Sequence, residues 1–156
     1  MIRVRLRTLE AMALALIARL LIRFVPLARW SQLLGESIPA GQSADIADHD
    51  ETADTQTDEM VRACAAAVRR ATMRMPGTIC LPQAIALQWM LARRRIGSAI
   101  ILGFVPLARR GVGDDLHAWV EWNGRKIIGD TGDAHARLLQ FRTSYDSGDC
   151  NSGTFC

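Results

Sequence analysis

The sequence predicts an α+β domain, with helices packed on a small antiparallel sheet and a helical segment at the N-terminus. Two observations carry that reading. Apolar residues recur at i, i+3, i+4 and i+7 in stretches of the first 95 residues, the spacing of one helix face. The chain then changes to a β-branched run, Ala99 to Val105, and to two alternating runs joined by Asn123-Gly124, a strong local hairpin signal. A length of 156 residues suits one domain, and 49% hydrophobic against 22% charged residues is near the globular norm.

Residues 8–25 read as a helix, with Leu9, Met12, Ala13, Leu16, Ile17, Leu20 and Phe24 on one face. Leu14, Leu21 and Ile22 make the other faces apolar too, so this helix must pack inside its own domain or be covered by a partner or a membrane surface. Pro26 breaks it near Val25, and a second short helix runs to Leu34 and stops at Gly35. Residues 1–35 form this N-terminal segment. Residues 36–57 are acidic, rich in Ala, Ser and Thr, and poor in large apolar groups, the composition of a flexible linker. His49 within it is read as solvated and silent.

The expected catalytic core spans residues 58–142. Asp58 is a candidate N-cap for a helix to about Met73, with Met60, Val61, Cys64, Val68 and Ala71 inward. Pro76 and Gly77 end it. Pro82 is tolerated only in a first turn, so the next helix starts at Cys80 to Pro82. It runs into Arg93–Arg95, which complement its C-terminal dipole, and stops at Gly97. The strand Ala99 to Val105, a loop with Pro106, Gly111 and Gly113, and the hairpin 117–122/125–130 follow. After Asp130 the pattern fades, and residues 143–156 read as an irregular tail.

Charge is unevenly placed. The first 35 residues carry six Arg against Glu10, whereas residues 36–59 carry eight acidic groups and no Lys or Arg. A net charge of +3 is too small for a nucleic-acid footprint. The longest uncharged run near the N-terminus, Ala11 to Ala18, is far short of the ~18 residues of a membrane span. No small-x-small cleavage site follows it, so export is not indicated and a cytoplasmic location with reduced thiols is expected. Cys64, Cys80, Cys150 and Cys156 form no CxxC pair, which argues against structural zinc. A bridge between Cys150 and Cys156 stays open.

Counting outward from Asn123-Gly124 pairs Trp122 with Arg125, Glu121 with Lys126 and, continuing, His117 with Asp130. Opposed residues share a sheet face, so an imidazole and a carboxylate are expected side by side, the arrangement that orients a general base. Cys80 is the matching nucleophile, because the positive end of a helix dipole favours a thiolate. Asp133 and His135 compete for the acid and base roles but lie off the hairpin. Gly111-Val-Gly113 opens no helix after a strand and is not a phosphate loop.

The stretch CLPQAIALQWMLARRR from Cys80, the strand IILGF, HAWVEWNGRKIIGD from His117 to Asp130, and LARWSQLLG from Leu27 to Gly35 resemble the transglutaminase-like B proteins of lasso-peptide biosynthesis. The resemblance implies a transglutaminase-like, papain-like cysteine protease core. It also implies a leader peptidase that cuts a ribosomally made precursor between leader and core, so that a separate cyclase can close the macrolactam. By motif, Cys80 is then nucleophile, His117 base and Asp130 orienting acid, with no metal or organic cofactor. Residues 1–79 show only helical patterns, as in the stand-alone form, which depends on a separate small leader-recognition protein. The N-terminal helix would be available to the cyclase. The alternatives are transfer of the acyl group to an amine and a non-catalytic scaffold that binds precursor or cyclase.

Overall fold

A proline near a helix start leaves few places for that start, and α3 (Cys80–Ala92) opens at Cys80 with Pro82 in its first turn. In the computed structural model, which describes residues 2–39, 55–75, 80–104, 116–130, 132 and 135–145, α3 is the central helix. Its side chains from Ala84 to Gln88, with Met90 and Leu91, are buried, because it lies between a sheet and a second helical layer. The other elements are α1 (Ile2–Phe24), β1 (Glu36–Pro39), α2 (Thr55–Thr72), β2 (Ser98–Phe104), β3 (Leu116–Trp122), β4 (Arg125–Ile128) and β5 (Ala136–Thr143). The expected α+β class is the observed one.

The sheet is antiparallel throughout, in the order β1-β5-β2-β3-β4. One face carries Ile100, Ala118, Val120, Trp122, Ile128 and Phe141 into a cluster with the helices. Buried Gln88 reaches from α3 to donate to the Phe141 carbonyl at 3.1 Å, which ties the helix to β5. The opposite face holds a smaller cluster of Ala99, Ile101 and Trp119. Gly103 serves this face by being bare: a Cβ there would stand 2.7 Å from the Trp119 ring and 2.7 Å from the Ala136 carbonyl.

Several expectations are corrected. The first helix begins at Ile2, not residue 8; nothing in residues 2–7 breaks a helix, and Arg and Leu favour one. The short helix before Gly35 is two 3-10 turns, Leu27–Arg29 and Ser31–Leu34. Residues 36–39 of the expected linker form edge strand β1 on β5, so residues 1–79 are not purely helical. Residues 40–54, 76–79 (with the expected helix end at Pro76 and Gly77), 105–115, 131, 133–134 and 146–156 lie outside the described residues. Helix α2 starts at Thr55, so Asp58 is inside its first turn, ion-paired to Arg62 at 2.6 Å rather than capping. The largest miss is β5, which lies between β1 and β2 where no strand was expected. Its inward faces bury Gln140 as well as Phe141, so its apolar alternation is weak.

Helix α1 packs within the domain through small residues. Ala11, Ala15 and Ala18 are fully buried in the same cluster as α2 and α3. Glu10 accepts two hydrogen bonds from Arg94 just beyond α3, at 2.7 and 3.3 Å. That bonding holds the Glu10 carboxyl below its ordinary 4.5, against the opposing effect of partial burial. A carboxyl so depressed contributes stability fully above pH 4.5, and the contribution is lost as pH falls through the lower folded value. Glu10→Gln is expected to cost about 1–2 kcal/mol at neutral pH. In acid its melting temperature should converge on that of the unsubstituted protein, and a gap that persisted there would contradict the pairing.

Candidate active site

Cys80 is a partly exposed free thiol at the first residue of α3, packed against the helix-side core. At that position the first backbone N–H groups of the helix have no intrahelical acceptor. Cys64 contrasts with it: fully buried in α2, its thiol is pushed up by desolvation and is chemically quiet.

The hairpin turn is as the sequence reads it. Asn123 and Gly124 have φ of 46° and 69°, the left-handed pair of a type I′ turn, and Trp122 and Glu121 oppose Arg125 and Lys126. Between Glu121 and Val120 the register slips: Val120 pairs with Ile128, not Ile127. One extra residue on β4 moves every later partner by one, so Asp130 does not stand opposite His117. Bulges follow from packing on both sheet faces rather than from the turn, which is why outward counting misses this one.

His117 is consequently hydrogen-bonded to backbone. Its Nε2 lies 2.6 Å from the Gly129 carbonyl oxygen; a carbonyl only accepts, so Nε2 carries the proton and neutral His117 keeps Nδ1 as its acceptor. Gly129 has φ of 82°, and a Cβ there would stand 2.6 Å from the Ala118 carbonyl oxygen, so this carbonyl's placement depends on glycine. The exposed Asp130 carboxylate instead accepts from the Gly132 N–H at 3.2 Å, with the Lys126 ammonium 3.9 Å away. Asp133 lies outside the described residues.

Strand alternation aligns His117, Trp119 and Glu121 on one face, and they join a polar-aromatic cluster. His117 stacks on Trp119, and His135 comes within 5.0 Å of the His117 ring centre. The Trp119 indole N–H donates to Glu121 at 2.8 Å, and Arg137 of β5 grips both oxygens of that carboxylate at 2.9 and 3.0 Å. Lys126 sits over the Trp119 ring at 5.2 Å. Sequence reasoning named His135 only as a competitor and missed Trp119, Glu121, Gly129 and Arg137. The H-x-W-x-E alternation was the available signal for two of these; Arg137 is on the unforeseen strand.

This cluster occupies the sheet face away from the helices, whereas Cys80 packs on the helix side. Among the described residues no hydrogen bond links Cys80 to His117. They stand toward the same end of the sheet, however. A short turn joins α3 to β2, so the helix runs back over that strand. A helix of ~20 Å on a strand of ~23 Å carries Cys80 toward the end where β3 begins. Among the described residues no group of His, Cys, Asp and Glu could hold a metal ion.

Helices on one face of an antiparallel sheet, with a free thiol opening the central helix, define the class as an α+β domain. The chain belongs to the transglutaminase-like superfamily, whose family model matches residues 18–143, from within α1 to the end of β5. That superfamily holds cysteine proteases and acyltransferases. No curated protein and no solved structure matches the chain.

Proposed function

We propose that the protein is a cysteine peptidase that removes the leader from a ribosomally made lasso-peptide precursor. The observation that carries the reading is Cys80: a partly exposed thiol opening the central helix of a transglutaminase-like domain. The sequence resemblance supplies the substrate. Cys80 attacks the carbonyl of the last leader residue, and N–H groups at the start of α3 hold the oxyanion, a donor worth ~3 kcal/mol. Nδ1 of His117 takes the thiol proton and returns it to the leaving amine, which is the new N-terminus of the core. Water then releases the leader from the thioester. The proposed mechanism requires the His117 imidazole to meet the thiol round the end of β3. The expected partners are the precursor, a small leader-recognition protein and the macrolactam-forming cyclase, in the cytoplasm and with no metal or cofactor.

In this reading Asp130 acts at one remove, holding the turn after β4 and so the Gly129 carbonyl that fixes the His117 tautomer. The test is leader release from precursor plus recognition protein, followed by mass spectrometry; a leader recovered as an amide of an added amine would reassign the protein as a transferase. Asp130→Asn keeps an oxygen for the Gly132 N–H and should retain most turnover, whereas Asp130→Ala should lose about tenfold, the worth of one ~1.4 kcal/mol hydrogen bond. An Asn variant as inactive as His117→Gln would show that the carboxylate orients the imidazole directly.

A further inference from the structure

Helix α1 has two apolar faces, and the fold uses one. Steps of 100° per residue set Ile2, Leu6, Leu9, Leu16, Leu20 and Phe24 within about 80° of one another, opposite the buried Ala11, Ala15 and Ala18. Each of the six is 48% to 76% exposed. The stripe is about 33 Å long, and no charged residue falls within it. Arg5 and Arg23 border one edge within about 20°, and Arg3 stands about 60° beyond the other; none of the three has an ion-pair partner among the described residues. The helix's one acid, Glu10, is turned inward onto Arg94. A second copy seated here would bring Arg against Arg with no acid to answer it. No helix among the described residues is long and apolar enough to cross a membrane.

We infer that α1 docks the protein on an anionic lipid surface, its outer apolar stripe in the headgroup–acyl boundary and its arginines on lipid phosphates. This does not rest on the peptidase reading. The full chain is sedimented with vesicles of phosphatidylcholine alone and of phosphatidylcholine containing about a third phosphatidylglycerol. At least about tenfold tighter binding to the anionic vesicles is expected. Leu9→Gln with Phe24→Gln should lower that binding about tenfold, with an unchanged thermal melt because both side chains already face outward. Arg5→Gln with Arg23→Gln should remove the preference for anionic lipid. Failure to sediment with either vesicle, or undiminished binding of the Leu9/Phe24 variant, would overturn the inference. A dimer in solution that this variant dissociates would overturn it in favour of a second copy.

Discussion

Cys80→Ala is expected to lower leader release by at least ~10⁴-fold, the scale on which loss of a nucleophile acts, while the melting temperature stays almost unchanged. The two effects separate because the thiol is at the partly exposed start of α3, where an alanine leaves no sizeable cavity. Cys64→Ala should do the reverse. Its sulfur is fully buried between α2 and its neighbours, so truncation should cost about 1 kcal/mol and leave turnover intact. Alkylation gives a second readout on the same residues: iodoacetamide should label Cys80 in the folded protein and leave Cys64 unmodified. If His117 Nδ1 draws the proton from the thiol, His117→Gln should slow labelling of Cys80 below neutral pH. Leader release by the Cys80→Ala protein would remove the nucleophile from the proposal. Labelling unaffected by His117→Gln would separate the histidine from the thiol.

The second large effect is on stability and concerns Arg137. Glu121 is 5% exposed, and its carboxylate depends on one Arg137 guanidinium nitrogen, which meets both its oxygens, and on the Trp119 indole. Removing the cation leaves a buried negative charge, which costs about 3–5 kcal/mol for a fully buried pair. The Arg137 side chain is itself 42% exposed, so water replaces part of what it gave, and Arg137→Met should cost about 2 kcal/mol. For a chain of this size that is a fall of roughly 6 °C in melting temperature. Glu121→Gln should cost less, because an amide oxygen still accepts from the indole. Combining the two substitutions should recover much of the Arg137→Met loss, since no buried charge then remains. Strict additivity would show that the ion pair contributes no coupling. Trp119 carries the stacked His117 ring, so Arg137→Met should also impair turnover, although Arg137 touches no reacting atom in the proposed mechanism.

The correction at Asp130 shows what outward counting can and cannot reach. Asn123-Gly124 determines the turn and the first two residue pairs, because a type I′ turn is decided by the φ preferences of two residues. From Val120 onward, pairing depends on which side chains fit the helix-side core and which fit the face with Trp119, and one residue is looped out to satisfy both. The same applies to β5. Residues 136–143 have no strong alternation of their own, and β1 and β2 on either side draw them into the sheet.

The α+β class, the start of α3 at Cys80, the burial of Cys64 and the hairpin turn were thus legible in the sequence alone. Each is decided by a proline, a cap, a turn or a periodicity acting within a few residues. The insertion of β5, the slip between Val120 and Glu121, the transfer of His117 from Asp130 to the Gly129 carbonyl, and the Glu121–Arg137 ion pair belong to the tertiary structure. They join residues 8 to 106 positions apart, and packing on the two faces of one sheet selects such pairings, which no local propensity encodes.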